Sequence, residues 1–597
     1  MDKYSYEKPR ARIIEIGKQP LLIVGGPGTR KSTSLAERVN SIIRKSLAEP
    51  RNIQVLSFNN ASVRDLKEKF DDYKVPEAVK ISTVHSLAYR IVLQNFAQTG
   101  WNTELNIADE MDDRLILHDS RYEELGLNEI YMNLANLRSL NEAKEYYKFK
   151  KFYNGFNFYE ITRKAISLLK SNKKTRNKYL KEIDFLIVDE YQDLNRADQK
   201  FIELLTGEND GLTMCGDDDQ SIYCFRYAFP EGIREKYNSR KFQIVKLEFS
   251  YRCPDFIVKI ANYIRSKMSD SIPKTLKGVP SEWKGLIISL PSSTETRNKE
   301  AEWVAEKVIE EKNEYLSRKS QDEKYKILVL ASEEDVYRDL MEILSEKGVG
   351  FRTKRSKILS QTLTRRIYSA LKFIEQPNNN LALRWVLHGL ATNIDYNAAI
   401  TKALKQNLSL WETVNESEDK KVKLICYDLL SIDKVDKPSK VLEQLLKIFN
   451  LGRNNSRAIN RLFEIAEGPT TIKDFIEKIE TQNLEPEEHV DNSQTQRGFN
   501  VELMTIHSAK GLTADVVFIM GLENGIFPKN IRGNYTEKEL RLFYVALTRT
   551  RSKLYMSFVR SRRGQLARGV YGRTQSKFIN IIQELPDWCD CLDFVSC

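Results

Sequence analysis

Cysteine and histidine are scarce in this chain, with seven and five copies among 597 residues. The cysteines are odd in number and scattered, which excludes a disulfide framework and fits a reducing compartment. Cys589, Cys591 and Cys597 cluster at the C-terminal end, but without a neighbouring histidine or fourth cysteine they read as an end segment rather than a zinc site. No apolar run approaches the ~18 to 20 residues of a membrane span. The N-terminal stretch MDKYSYEKPRARIIEIGK also lacks the apolar centre of a signal peptide. A cytoplasmic protein with no membrane partner is therefore expected. Internal repeats at a fixed short period and long low-complexity tracts are absent as well, which excludes solenoids and extended disorder.

Against these absences, hydrophobic residues make up 41% and aromatics 10%, enough for buried cores. At roughly 150 residues per domain the length corresponds to about four domain-sized units. The net charge of +11 suits a polyanionic partner such as nucleic acid, with an ordinary basic cytosolic protein as the plainer alternative.

Leu21-Leu22-Ile23-Val24 is a short apolar run that breaks into Gly25-Gly26-Pro27-Gly28, and Leu35, Val39, Ile42 and Ile43 then recur at helical spacing. This predicts strand, glycine loop, helix. Further runs at 53–56, 185–188, 212–215 and 244–247 predict a parallel sheet covered by helices. A second such core opens at Ile327-Leu328-Val329-Leu330. Ser332-Glu333-Glu334-Asp335 there has the pattern of a capping box, followed by Val336, Leu340, Ile343 and Leu344 at helical spacing up to Gly348. Its later strands are expected at 516–520 and 554–558. Segments 91–181 and roughly 386–494 show helical periodicity without strand runs and read as helical insertions, one into each core.

The sharpest local signal is Gly25-Gly26-Pro27-Gly28-Thr29-Arg30-Lys31-Ser32, a phosphate loop of the form G-x-x-x-x-G-K-[ST] with Arg30 in place of the second glycine. Backbone N–H groups at a helix N-terminus cradle phosphate oxygens, Lys31 reaches the terminal phosphates, and the Ser32 hydroxyl suits Mg²⁺. Such a loop needs a carboxylate on a second strand. Phe185-Leu186-Ile187-Val188 delivers Asp189 and Glu190 at its C-terminal end, Asp189 to orient Mg²⁺ beside Ser32 and Glu190 to act as general base.

Asp189-Glu190-Tyr191-Gln192-Asp193, Gly216 to Tyr223 (GDDDQSIY), Thr505 to Leu512 (TIHSAKGL) and Leu542 to Arg549 (LFYVALTR) closely resemble motifs of UvrD/Rep/PcrA-type superfamily 1 helicases, in that family's order, from about residue 14 to 560. The resemblance implies an α/β fold with two RecA-like domains, each with a helical insertion. The first would be 1–90 plus 182–265 with insertion 91–181, the second 266–385 plus 495–560 with insertion 386–494, followed by a basic tail, 561–597. It implies that ATP and Mg²⁺ are used, that Gln220 senses the γ-phosphate, and that Tyr251 stacks on adenine. Arg252 and Arg549 would reach the γ-phosphate from the second core, with Thr33 and Gly511 completing the nucleotide set. For DNA it implies base stacking on Phe58, Tyr223 and Phe225, with further contacts from Asn60, Thr83, His85, Arg226 and His507. The implied activity is an ATP-dependent helicase or translocase moving 3′ to 5′ on single-stranded DNA or 3′-tailed duplex, in repair, recombination or phage defence.

The sequence also departs from that family. Arg30 takes a glycine's position, where a left-handed backbone costs a side chain roughly 1–2 kcal/mol. Thr513 stands where the family usually has glutamate, Arg10 falls at the spacing of its adenine-reading glutamine, and the second insertion is short. These departures leave a rival: a DNA-binding regulatory subunit with attenuated ATPase, working with a nuclease, repair or defence partner. The tail, with Arg562, Arg563, Arg568 and Arg573 before Pro586-Asp587-Trp588, reads as a solvated end or a phosphate or partner contact.

Overall fold

A computed structural model describes residues 4–95, 106–140, 143–207, 210–278, 286–289, 297–317, 324–354, 357–390, 394–452, 457–484, 488–490, 498–562, 573–585 and 592–594. The tail residues Arg563, Arg568 and Trp588 and the cysteines Cys589, Cys591 and Cys597 lie outside them. The chain forms two compact units, one of Met1–Ser86, Lys173–Lys354 and Glu488–Cys597, the other of Leu87–Asn172 and Arg355–Glu487.

Among its described residues the first unit holds two large sheets and a two-stranded one that pairs Phe249–Ser250 with Lys277–Gly278. The strands of one large sheet are β1 (Leu21–Gly25), β2 (Ile53–Ser57), β3 (Lys80–Thr83), β4 (Phe185–Val188), β5 (Leu212–Gly216) and β6 (Gln243–Leu247). All run parallel, in the order β3-β2-β4-β5-β1-β6. β1, β2, β4 and β5 are buried along their whole lengths, as expected of central strands with helices on both faces. Each fully buried Leu, Ile or Val contributes about 1.5–3 kcal/mol. The order places β5 between β1 and β4, so the phosphate loop and the Asp189-Glu190 pair emerge on the same C-terminal edge.

The second sheet comprises β7 (Leu286–Ser289), β8 (Tyr325–Ala331), β9 (Arg352–Lys354), β10 (Glu488–Val490), β11 (Phe499–Thr505), β12 (Ala514–Ile519), β13 (Thr550–Met556) and β14 (Leu592–Phe594). The order is β10-β9-β11-β8-β12-β13-β7-β14, parallel except for β10 on β9. The capping box expected at Ser332 does not form. A single turn of 3₁₀ helix, Glu334–Val336, comes first, and the helix Arg338–Glu346 starts after Tyr337 without a side-chain cap.

The basic tail is not a solvated end where it is described. Arg562 is fully buried between Glu300, at 2.8 Å, and Glu523, at 2.5 Å, and Arg573 donates to the carbonyl of Asn524. Helix Lys577–Gln583 returns Phe578 to the core, stacked on Phe543 at 4.7 Å.

The second unit is helical, and both insertions build one core, with Ile116, Tyr146 and Phe149 packed in the same cluster as Leu371, Leu442 and Phe475. Buried ion pairs cross between the two segments: Arg365 to Asp112 at 2.8 Å and Arg384 to Asp119 at 2.7 Å. Lys150 sits between Asp113 and Glu160 at 2.6 and 2.7 Å. The sequence reading carried the second α/β core through residue 385. Instead, helices Thr362–Glu375 and Asn380–Val386 lie in this unit, because Leu371, Phe373, Ile374 and Leu383 are buried in the helical core.

Candidate nucleotide site and nucleic-acid interface

The loop after β1 closes on itself and against residues 250–252. Thr29 Oγ1 donates to the carbonyl of Gly26 at 2.9 Å, and Lys31 Nζ donates to those of Gly25 and Gly26 at 2.9 and 3.2 Å. Tyr251 N–H donates to the Gly28 carbonyl, and Ser250 Oγ to that of Pro27, both at 2.9 Å. Gly28 has φ 72°, and a Cβ there would lie 2.5 Å from Arg252 Cβ, so both backbone and packing require glycine. The helix Lys31–Arg44 then carries Ser32 and Thr33 in its first turn, Thr33 buried.

Arg30 is the residue before that helix. Its φ of 62° and ψ of 38° are the left-handed conformation that a glycine would adopt without cost. The backbone therefore keeps the phosphate-loop shape despite the substitution. The exposed side chain lies over the ring of Tyr251, its guanidinium carbon 3.9 Å from the centroid.

At the end of β4, Asp189 is buried. Burial and the neighbouring Glu190 push its carboxyl up to about 7, and Lys31 opposes this. Burial raises the Glu190 carboxyl too, but Lys510 and Lys31 together outweigh it and hold that group below its ordinary value. Glu190 thus stays ionised, as a proton acceptor must. Gln192 Nε2 donates to Glu190 Oε2 at 2.5 Å and fixes the side chain.

Three cations gather here: Arg549 and Lys510 come from the second sheet, whereas Arg252 follows the short strand Phe249–Ser250 beside the phosphate loop rather than coming from the second core as expected. Arg549, at the start of the turn into β13, is fully buried and donates to the carbonyls of Val545 and Leu512 and, from Nη2, to Gln220 Oε1 at 3.1 Å. Gln220 in turn donates to Asp217 at 2.6 Å. Burial and nearby Arg252 push the Arg549 guanidinium down to about 9. Arg252, at the edge of the phosphate loop, donates to the carbonyl of Thr548 at 3.2 Å.

The third cation is Lys510, which sequence reasoning quoted within a motif but gave no role. Its Nζ donates to Asp193 Oδ2 at 2.5 Å and to the Gln220 carbonyl at 2.6 Å, lies 3.9 Å from Glu190 Oε2, and sits 5.3 Å from the Tyr223 ring centroid. Gly511, with φ 90°, makes the turn just after it. The available signal was a lone lysine before a glycine between two strands.

Asp217, Asp218 and Asp219 converge within 4.8 Å of one another, but Lys274 Nζ lies 2.9, 2.9 and 2.6 Å from them. A buried ammonium thus bridges all three carboxylates, Arg234 adds a second cation on Asp218 at 3.0 Å, and together they hold the loop that carries Gln220.

The aromatic residues expected to stack on bases form a row with His507. Phe58 and Tyr223 are 4.8 Å apart, Tyr223 and Phe225 5.8 Å, and Phe225 and His507 5.3 Å. Phe225 is 58% exposed, so its ring is open to a partner, whereas Phe58 is buried beneath Tyr223. Arg226 lies 5.7 Å from the Phe58 ring centroid. Burial lowers the His507 pKa, which favours a neutral imidazole. Asn60 is exposed at the first position of helix Asn60–Asp72. Thr83 Oγ1 accepts from the Ser86 N–H, and His85 faces buried Asp198 at 3.4 Å.

Family comparison agrees with this arrangement. The family model for the UvrD/REP helicase N-terminal domain matches residues 7–143 and 135–241, and that for the UvrD-like helicase C-terminal domain matches 245–422 and 395–561. The chain belongs to the UvrD-like helicase family. Among its relatives, the ATP-dependent DNA helicase Rep of Buchnera aphidicola subsp. Schizaphis graminum is 27% identical, covering 92% of each chain. The ATP-dependent DNA helicase PcrA of Staphylococcus epidermidis is 26% identical over 96% of this chain and 85% of its own. PcrA of Staphylococcus aureus is 24% identical over 97% and 86%. The two parallel sheets of the first unit are the two-domain architecture of this helicase family.

At the adenine-reading spacing, Arg10 forms an ion pair with Glu37 at 2.5 Å, which ties the N-terminal helix Tyr4–Glu15 to the helix after the phosphate loop. No helix among the described residues is long and apolar enough to cross a membrane.

Proposed function

We propose that the protein is an ATP-dependent DNA helicase and translocase that moves 3′ to 5′ on single-stranded DNA and opens 3′-tailed duplex. The observation that carries this reading is Lys510. One ammonium from the second sheet touches the acidic residues around Glu190 and lies beside Tyr223 in the aromatic row. A change at the stacked bases therefore reaches the hydrolytic carboxylate through a single side chain.

In this reading Lys31 and the loop N–H groups hold the phosphates of ATP. Ser32 and Asp189 are hard oxygen donors of the kind Mg²⁺ takes, and the raised Asp189 carboxyl fits a site that gains from a cation. The metal would neutralise charge on the β- and γ-phosphates. Glu190 takes the proton of the attacking water, Gln220 orients at the γ-phosphate, and Arg549 and Arg252 balance charge on the transferring group. Tyr251 offers the ring for the adenine. Phe225 and Tyr223 stack on bases without regard to sequence, as a translocase requires. The polarity rests on the family resemblance.

The retention of Lys31, Asp189, Glu190, Gln220, Arg252 and Arg549 around one cleft favours the enzyme over a regulatory subunit with a silent ATPase. The left-handed backbone of Arg30, which keeps the conformation a glycine would adopt there, supports the same side. Steady-state ATP hydrolysis with and without single-stranded DNA tests it. Strong stimulation by DNA is expected. Equal rates, or none, would favour the regulatory reading.

A further inference from the structure

Arg30 and Tyr251 make a contact that neither a phosphate loop nor a base platform needs. The guanidinium carbon lies 3.9 Å from the ring centroid, within cation–π range. The arginine is exposed, whereas the tyrosine is half-buried. Tyr251 is fixed from below by its N–H bond to Gly28 and by Ser250 Oγ on Pro27. The tyrosine's backbone is thus tied to the phosphate loop, and the more exposed of the two partners is the arginine.

We infer that Arg30 competes with the nucleobase for Tyr251: the guanidinium covers a face of the ring and must leave before a base can occupy that face. This rests on the reading of Tyr251 as the base platform. A guanidinium 3.9 Å from the centroid leaves no room for a base between the two. The base of a nucleotide whose phosphates sit on Lys31 must therefore exchange with Arg30 to take that face. Arg30 subtracts from the contribution of the base to affinity while leaving the phosphate contribution in place, so it sets how strongly the protein distinguishes a nucleotide from a bare polyphosphate.

The test uses the full chain and two probes, ATP and inorganic tripolyphosphate, with equilibrium dissociation constants measured for wild type, Arg30→Ala, Tyr251→Ala and the double variant. The quantity read is the ratio of tripolyphosphate Kd to ATP Kd, which cancels the loss of a positive charge near the phosphates. Alanine rather than glycine keeps the left-handed backbone cost, so strain relief does not enter. Arg30→Ala should raise the ratio about 2- to 5-fold, the size of an exposed cation–π contact. Tyr251→Ala should lower it, and in that background Arg30→Ala should change nothing. If Tyr251→Ala lowers the ratio but Arg30→Ala leaves it unchanged or lowers it, Arg30 is no competitor and the inference fails while the platform reading stands. If Tyr251→Ala leaves the ratio unchanged, the platform reading itself falls, and the inference with it.

Discussion

Arg549 Nη2 donates to Gln220 Oε1 at 3.1 Å, joining the turn before β13 of the second sheet to the loop after β5 of the first. Arg549 is fully buried, and among the described residues no carboxylate pairs with it; its other partners are carbonyls and the Thr548 hydroxyl. A buried cation without an anion is costly, and a polyphosphate in the adjoining loop would relieve that cost.

Replacing Arg549 by alanine should therefore lower kcat by about 10³-fold or more, the scale of an arginine that stabilises transferring phosphoryl charge. Arg549→Lys should not restore the rate, because an ammonium cannot make the same set of divergent bonds. Single-turnover hydrolysis at saturating ATP and DNA measures both.

Glu190→Gln should reduce kcat by about 10²- to 10⁴-fold, the contribution of a positioned general base. ATP binding should stay close to wild type, because the amide keeps the shape of the side chain and Lys31 is untouched. Equilibrium titration with ATP beside the turnover assay separates the two effects; hydrolysis at the wild-type rate would mean that another group takes the proton.

Lys510→Met removes the ammonium shared by Asp193, Gln220 and the Tyr223 ring. If it couples the stacking row to Glu190, stimulation by DNA should fall about 5- to 150-fold, the usual range of a coupling between two sites. The DNA-free rate should also fall, by a smaller factor, because Lys510 helps to keep Glu190 ionised. Measuring the ATPase rate across a DNA titration gives both numbers.

Much of this site was legible in the sequence because it is local. An apolar strand ending in glycines and a lysine, and another ending in Asp189-Glu190, are each a few residues long, and a parallel sheet fixes where their ends emerge. Lys510 and Lys274 were not legible in the same way. Each acquires its role from contacts more than fifty residues away along the chain, to Asp193 and to the Asp217–Asp219 cluster. Arg562 misled for the same reason: a run of arginines reads as a solvated end or a phosphate or partner contact, yet Arg562 is buried between Glu300 and Glu523. The helices 362–386 carry an ordinary amphipathic pattern, and only the packing of Leu371 and Phe373 decides which core they join.

Phe225 is the exposed ring of the aromatic row. Phe225→Ala should weaken single-strand binding by about 1–3 kcal/mol, the value of one stacked base. The slope of log affinity against log salt should hardly move, because no phosphate contact is lost. Fluorescence anisotropy with a labelled oligonucleotide at several salt concentrations gives both quantities. A changed slope would place Phe225 outside the stacking row in function.

Directed movement coupled to ATP is tested most directly by displacement of streptavidin from a biotinylated single strand. A motor moving 3′ to 5′ should remove streptavidin from a 5′-terminal biotin, only when ATP is hydrolysed, and leave a 3′-terminal biotin occupied. Glu190→Gln should remove neither. Displacement from the 3′ end alone would reverse the polarity, and no displacement from either end, with ATP turnover unaffected by DNA, would contradict the account.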